Sequence, residues 1–257
     1  MSTLDDGRFR DPRADPEPLR KYLAAVLRSI DTSLEWIEEG KHKNPRDLLN
    51  IRDLSRKHFT AFSVSYSIGE PVDRLRYHLA GAVDAHVEYD LLSHPQRLEL
   101  GKEPRTWVDA PTWMIETAEL LGAVILLGTE EQRTRIADTL PLLGPDTALE
   151  YLAGQHPTLD EADVTLSHPR PYGRLITAVQ AEPTARPKLV GQFVQHWYNG
   201  TRKRQGWGEH LRQQKRGVAI QYPGYWCFTG AALTKLLDID DSGYRDNEYY
   251  PEAFLPH

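Results

Sequence analysis

A single cysteine, Cys227, stands in the 257 residues, so no internal disulfide can form, and one thiol suits a reducing compartment. Cys227 falls inside a helical pattern, where a buried inert thiol is the plain reading. Long apolar runs are also missing, because the longest, Leu120 to Leu127, is far short of the ~20 residues that cross a bilayer. No membrane association is expected. The first residues, Met1 to Arg13, alternate charges without an apolar signal core, which points to a soluble, cytoplasmic protein. Alternation with period two is missing throughout, and its absence excludes a sheet.

Catalytic signatures are missing as well. There is no G-x-S-x-G, no G-x-G-x-x-G, no phosphate loop and no H-E-x-x-H, and no Asp/Glu-x-Lys triplet in strand context as a restriction-type nuclease would need. Ten histidines invite a metal search, but His58, His78, His86 and His196 fall on or beside apolar helix faces, and no second cysteine offers a thiolate. No catalytic, cofactor or metal residues are assigned. An enzymatic reading, a metal-dependent hydrolase, would have to rest on scattered Asp and His side chains.

What the chain does hold is ordinary globular composition, 40% apolar and 26% charged, enough to build a core. Its charge is unevenly spread. From Gly200 to Gly217 six bases (Arg202, Lys203, Arg204, Arg212, Lys215, Arg216) face one acid, Glu209, while the remainder has 25 bases against 36 acids, net −11. A free nucleic-acid binder normally shows the opposite balance, so direct nucleic-acid binding through this basic stretch stays an alternative only.

Helical spacing organises the rest. After a flexible lead-in, residues 1–15, the positions Leu19, Tyr22, Leu23, Val26, Ile30, Leu34 and Ile37 mark an amphipathic helix over Pro18 to Glu39, closed by Gly40. A second helix is expected from Pro45 to Ile68, with Arg46 on its outer face. A third opens at Pro71 and buries Val72, Leu75, Leu79, Val83 and His86, before a loop over His94 to Pro111 that divides a subdomain 16–108 from one at 109–257. Trp113 to Leu127 is apolar nearly all round and belongs at the centre of the core. Further helices are read at Glu130 to Leu140, Asp146 to Ala153, Tyr172 to Ala181, Ala185 to Tyr198 and Tyr225 to Leu237. The fold class is all-α, a multi-helix bundle of about eight to ten helices, N-terminal hairpins packed on a C-terminal helical half.

The densest stretch is Tyr222 to Leu255. Its last part sets Asp238, Asp240, Asp241, Asp246, Glu248 and Glu252 against one base, Arg245, so residues 238–252 are net −5. The first of these acids follow a helix C-terminus, which disfavours them by roughly 0.3 to 1 kcal/mol each, so Lys235, Arg245, a cation or a basic partner is expected to compensate. Asp238-x-Asp240-x-Ser242-Gly243 with Asp246 resembles a calcium loop, but position 12 is Tyr249 instead of the closing Glu, so no calcium is assigned. Joined by Asp84 and Glu88, the acids form a candidate surface for a basic partner, with Tyr225, Trp226, Tyr244, Tyr249 and Tyr250 as candidate anchors beside it.

Tyr222-x-Gly224-Tyr225-Trp226-x-Phe228, Ala231-Ala232-x-x-Lys235, Asp240-Asp241-Ser242 and Tyr249-Tyr250-Pro251 resemble the C-terminal signature of the PoNi-like immunity proteins, a family encoded beside PoNe-type polymorphic DNase toxins. Tyr66-Ser67-x-Gly69-Glu70, and Trp197-Tyr198 with Trp207 and His210, resemble its earlier segments, so the likeness spans roughly residues 17 to 255. The resemblance implies an all-helical, non-enzymatic protein that neutralises a cognate nuclease toxin of interbacterial competition, such as type VI secretion delivers, in the cytoplasm. It leaves a homodimer open. Asp238, Asp240, Asp241, Asp246, Glu248, Tyr244, Asp84 and Glu88 are then the candidate toxin contacts. Tyr222, Gly224, Tyr225, Trp226, Tyr249, Tyr250 and Pro251 are the structural motif. One departure is Thr229, where relatives commonly place Glu.

Overall fold

The computed structural model describes residues 3–39, 47–99, 101–103, 106–155, 159, 164–205, 207, 208, 213 and 222–256. Among them are nine α-helices and no strand, as the missing alternation implies. Gly40, Pro45 and Arg46, together with Glu209, His210, Arg212, Lys215 and Arg216 of the basic stretch, lie outside the described residues. The chain divides into two compact units, Met1–Pro104 with Gly208–Gly224, and Arg105–Trp207 with Tyr225–His257.

The first unit holds α1 (Pro16–Glu38), α2 (Asp47–Ile68) and α3 (Val72–Glu99), with α2 packed along both of the others. Pro16 suits the first helical position, and the stripe Leu19, Leu23, Val26 and Ile30 is buried as the spacing predicts, at roughly 1.5 to 3 kcal/mol per side chain. Gly69 (φ 76°) ends α2 in the left-handed region, where a Cβ would strike the Arg8 carbonyl. Residues 3–15, expected as a flexible lead-in, pack against this corner. The Arg10 N–H donates to the Ser67 carbonyl at 2.8 Å, and Asp11, fully buried, accepts from Arg13 Nε at 2.8 Å and from the Tyr222 hydroxyl at 2.9 Å.

Helix α3 continues four residues past Pro95 to Glu99, which corrects the loop expected from His94 onward. Pro95 removes one backbone donor but lies in the last turns, where little ladder follows it. His58, His78 and His86 are buried on these helices, and burial lowers all three pKa values, to about 4 for His78 and about 3 for His86. His58 fits because Gly81 opposite it has no side chain. A Cβ there would lie 2.5 Å from the imidazole.

The second unit is built on α4 (Pro111–Leu127), α5 (Glu130–Ala137), α6 (Thr147–Leu152), α7 (Pro169–Gln180), α8 (Arg186–Gln205) and α9 (Phe228–Leu237). Helix α4 is the central element that its composition predicts, with Met114, Ala118, Leu121 and Ala123 at 0% exposure, and α9 packs along it. Thr129 and Gln132 form a capping box at α5, and Asp146 caps α6 by accepting from Ala148 and Leu149 N–H.

Helix α9 starts three residues later than the spacing of Trp226 and Leu233 suggests. Gly224 (φ 78°) turns the chain, and the Cys227 N–H bonds to the Tyr249 carbonyl at 2.8 Å, so Tyr225 and Trp226 lie buried ahead of the helix and outside it. A long-range backbone bond wins over a local helical one.

Candidate functional site

The site read from the sequence is the segment after α9. Asp238 takes the left-handed conformation (φ 49°, ψ 55°) that ends the helix, and the Ile239 N–H closes back on the Thr234 carbonyl at 3.2 Å. Asp240 then accepts from Ser242 N–H at 3.0 Å and Ser242 Oγ at 2.7 Å, and these bonds hold its pKa below the usual carboxylate value. Asp240 is therefore ionised at neutral pH.

Arg245 folds the remainder down. Its Nη1 donates to both Asp241 oxygens, at 2.8 and 2.9 Å, and to the Pro256 carbonyl at 3.2 Å, while Nη2 reaches the carbonyls of Leu255 at 3.1 Å and Glu252 at 3.4 Å. Asp241 also accepts from the Tyr250 hydroxyl at 3.1 Å, and that hydroxyl and the Tyr244 hydroxyl both meet Thr234 Oγ1. Burial, ahead of the neighbouring Asp241, pushes the Tyr244 phenol up to about 12 and raises that of Tyr250 further. Asp241 and Tyr244, two of the candidate contacts, thus spend their polar atoms inside the tail, with 7% and 9% of their surface exposed. Removing one member of such a pair strands the other, so Arg245→Ala is expected to cost about 3 kcal/mol and to open residues 245–256 to proteolysis, with Arg245→Lys intermediate.

Asp238, Asp240, Asp246, Glu248 and Glu252 remain exposed. The first four make no ion pair among the described residues; Glu252 sits 3.6 Å from Arg245 Nε. Lys235, a compensating base expected from the sequence, is used elsewhere. Its ammonium donates to the Ile125 carbonyl at 2.7 Å and the Leu126 carbonyl at 3.4 Å, where α4 ends and its dipole is negative. Asp84 and Glu88 are exposed one turn apart on α3, in the other unit.

Of the motif residues, Tyr222, Gly224, Tyr225, Trp226, Tyr250 and Pro251 are buried and Tyr249 is partly exposed. Thr229 is fully buried, so the departure at this position alters the core and not the surface. Its N–H and hydroxyl both meet the carboxyl of Glu119, at 3.1 and 2.7 Å, and Trp197 Nε1 donates to the same group at 2.8 Å. Burial, against those bonds, raises the Glu119 pKa to about 7. No motif singles out Glu119 in the sequence; it and Glu116 are the two acids of an otherwise apolar helix, and that is the signal that marks it.

Among the described residues no group of three His, Cys, Asp or Glu side chains converges as a metal would require. Cys227 is fully buried and its pKa is raised by burial, which suits an inert thiol. Of the basic stretch, Arg202 and Lys203 are exposed at the end of α8.

No curated protein matches the chain. Among solved structures, the crystal structure of protein PA2201 from Pseudomonas aeruginosa matches with a TM-score of 0.71 at 17% identity, covering 98% of this chain and 91% of that one, a likeness of fold. The family resemblance carried by the Tyr222–Pro251 motif is shown over the segment that contains the whole acidic tail: residues 144–254 match the family of PoNe immunity proteins (PoNi), C-terminal.

Proposed function

We propose that this chain is an immunity protein that binds a DNA-degrading toxin in the cytoplasm and neutralises it without catalysis. The family match over residues 144–254 carries the reading. The surface that we assign to the toxin is that of Asp238, Asp240, Asp246 and Glu248, four exposed acids with no ion pair among the described residues. A nuclease must present basic groups to phosphates, so an acidic surface competes for them, and long-range attraction speeds encounter roughly 10- to 1000-fold. Asp84 and Glu88 offer a second acidic patch to the same partner. No helix among the described residues is long and apolar enough to cross a membrane.

The test first reads the gene beside that of this chain, where the immunity reading expects a nuclease toxin, and then uses that nuclease inactivated at its catalytic residues. Wild-type protein is expected to bind it with an affinity that falls with salt, and the triple variant Asp240→Lys, Asp246→Lys, Glu248→Lys to bind about 100-fold more weakly with a shallower salt dependence. Unchanged affinity of that variant would exclude the tail as the interface. Absence of any wild-type binding or protection from the nuclease would sink the immunity reading itself. Asp241 is left intact in this design, because reversing it would break the tail's own fold.

A further inference from the structure

Five aromatic rings from separate segments of the second unit meet in one place: Trp197 and Tyr198 of α8, Trp207 just beyond it, Tyr225 and Tyr249. Trp197 and Tyr225, 0% and 4% exposed, form the floor. Tyr198, Trp207 and Tyr249 keep part of their surface in solvent. Tyr198 lies face to face with Tyr249, centroids 4.6 Å apart and planes within 4°, and nearly parallel to Trp207 at 5.8 Å and 12°.

Backbone bonds hold this stack in place. The Trp207 N–H donates to the Arg202 carbonyl at 3.0 Å, the Tyr249 N–H to Asn247 Oδ1 at 3.0 Å, and the Tyr249 carbonyl accepts from Cys227 at 2.8 Å. Rings already fixed lose little freedom when something lands on them, which is what an interface anchor requires.

The surroundings select the occupant. Exposed Glu248 adjoins Tyr249 in the chain and exposed Asp246 lies two residues further back, while the negative faces of the rings themselves attract a cation. Arg202 and Lys203, exposed on α8 about one turn beyond Tyr198, offer a place for an acid of the partner. We propose that the Trp207–Tyr198–Tyr249 stack is the apolar anchor of the toxin interface, seating an arginine or lysine side chain of the nuclease whose charge is met by Glu248 and Asp246. This rests on the immunity reading and adds to it a ring contact that salt screens less than the exposed ion pairs. A single nucleic-acid strand also stacks on aromatics, and Trp207 lies in a basic stretch while Tyr249 lies in a tail that is net −5, so an oligonucleotide is the competing occupant that the test separates.

In a complex of the full chain with the inactivated neighbouring nuclease, hydroxyl-radical footprinting of the wild-type protein is expected to show Tyr198, Trp207 and Tyr249 protected. Tyr249→Ala and Tyr198→Ala are expected to weaken binding about 30-fold, the loss typical of an anchor, with the salt dependence unchanged, and Tyr249→Phe to bind like wild type. Footprinting needs no variant, so a misfolded alanine substitution does not blunt the test. A wild-type complex with the three rings unprotected overturns the anchor and leaves the immunity reading standing. Failure of the wild-type protein to bind the nuclease overturns both. Protection of the rings by a single-stranded oligonucleotide, without the nuclease, also overturns the proposal.

Discussion

Gly122→Ala is expected to lower the melting temperature of the protein by about 10 °C, equivalent to about 3 kcal/mol, although it adds one methyl group to a good helix former's position. The reason lies in what the methyl would meet. A Cβ on Gly122 would stand 2.6 Å from the Thr229 nitrogen, 2.7 Å from the Phe228 carbonyl carbon and 2.9 Å from the Thr229 Cα. Those are backbone atoms of α9's first turn, and they cannot rotate aside as a side chain would. Relief requires α9 to lift from α4, and with it Lys235 from the end of α4 and Thr229 from Glu119. Gly173→Ala is the matched control, since nothing lies within 4 Å of its Cβ. Helix α7 should then gain up to about 1 kcal/mol from propensity alone. Thermal unfolding of the two variants separates the steric effect from the conformational one, and equal melting temperatures would refute the close-approach account.

The second large effect is expected at Glu119. Its carboxyl satisfies three buried donors, Trp197 Nε1 and the N–H and hydroxyl of Thr229. Glu119→Ala strands Trp197 Nε1 and the Thr229 N–H, leaves the Thr229 hydroxyl only the Ala118 carbonyl, and opens a cavity, so a loss of about 3 to 5 kcal/mol is expected in denaturant unfolding. The same residue gives stability a pH dependence whose sign follows from burial. Its pKa is raised in the folded protein, from an ordinary 4.5 to about 7, so the folded state keeps a proton that the unfolded chain releases. The favourable contribution is complete below pH 4.5 and is lost progressively as pH rises to about 7, a change of about 3 kcal/mol.

Thr229 allows both forms. Its hydroxyl lies 2.7 Å from Glu119 Oε1 and 3.2 Å from the Ala118 carbonyl, so it donates to an ionised carboxylate, or accepts from a protonated one while donating to Ala118. Glu119→Gln carries no titrating proton and is expected to flatten this part of the stability profile. The histidines act in the other direction. Burial lowers their pKa values, so their contribution is present above pH 6.5 and is lost as pH falls toward about 4 at His78, and the Glu119 effect is best read as the difference between wild type and Glu119→Gln.

Much of the fold was legible because apolar spacing is a local property. The stripe Leu19, Leu23, Val26 and Ile30 and the all-round apolar surface of α4 are fixed by which residues follow which, and burial follows from that order. Proline and glycine were poorer guides. Pro95 reads as a break and sits within α3, because packing elsewhere along a long helix tolerates one missing donor near its end. Trp226 keeps helical spacing with Leu233 yet lies outside α9, because the Cys227 N–H is taken by Tyr249, twenty-two residues on.

The acidic tail shows the same division. Its composition, its net charge of −5 and its likeness to a family of immunity proteins belong to the order of residues alone. Which acids face solvent does not. Asp240 and Asp241 are neighbours of the same chemistry, but one is exposed and the other is clasped by Arg245 and Tyr250, and Tyr244 turns inward while Tyr249 joins Tyr198 and Trp207. Arg245 is only four residues from Asp241, but Tyr244 turns in to Thr234 ten residues back and Tyr249 meets rings from the segment of residues 198 and 207, and no local pattern encodes partners that far away. The sequence by itself determined an all-helical chain with a charged, aromatic end. Only the tertiary structure decided which of those charges and rings remain available to another molecule, because desolvation and hydrogen bonding are settled by what packs against each group.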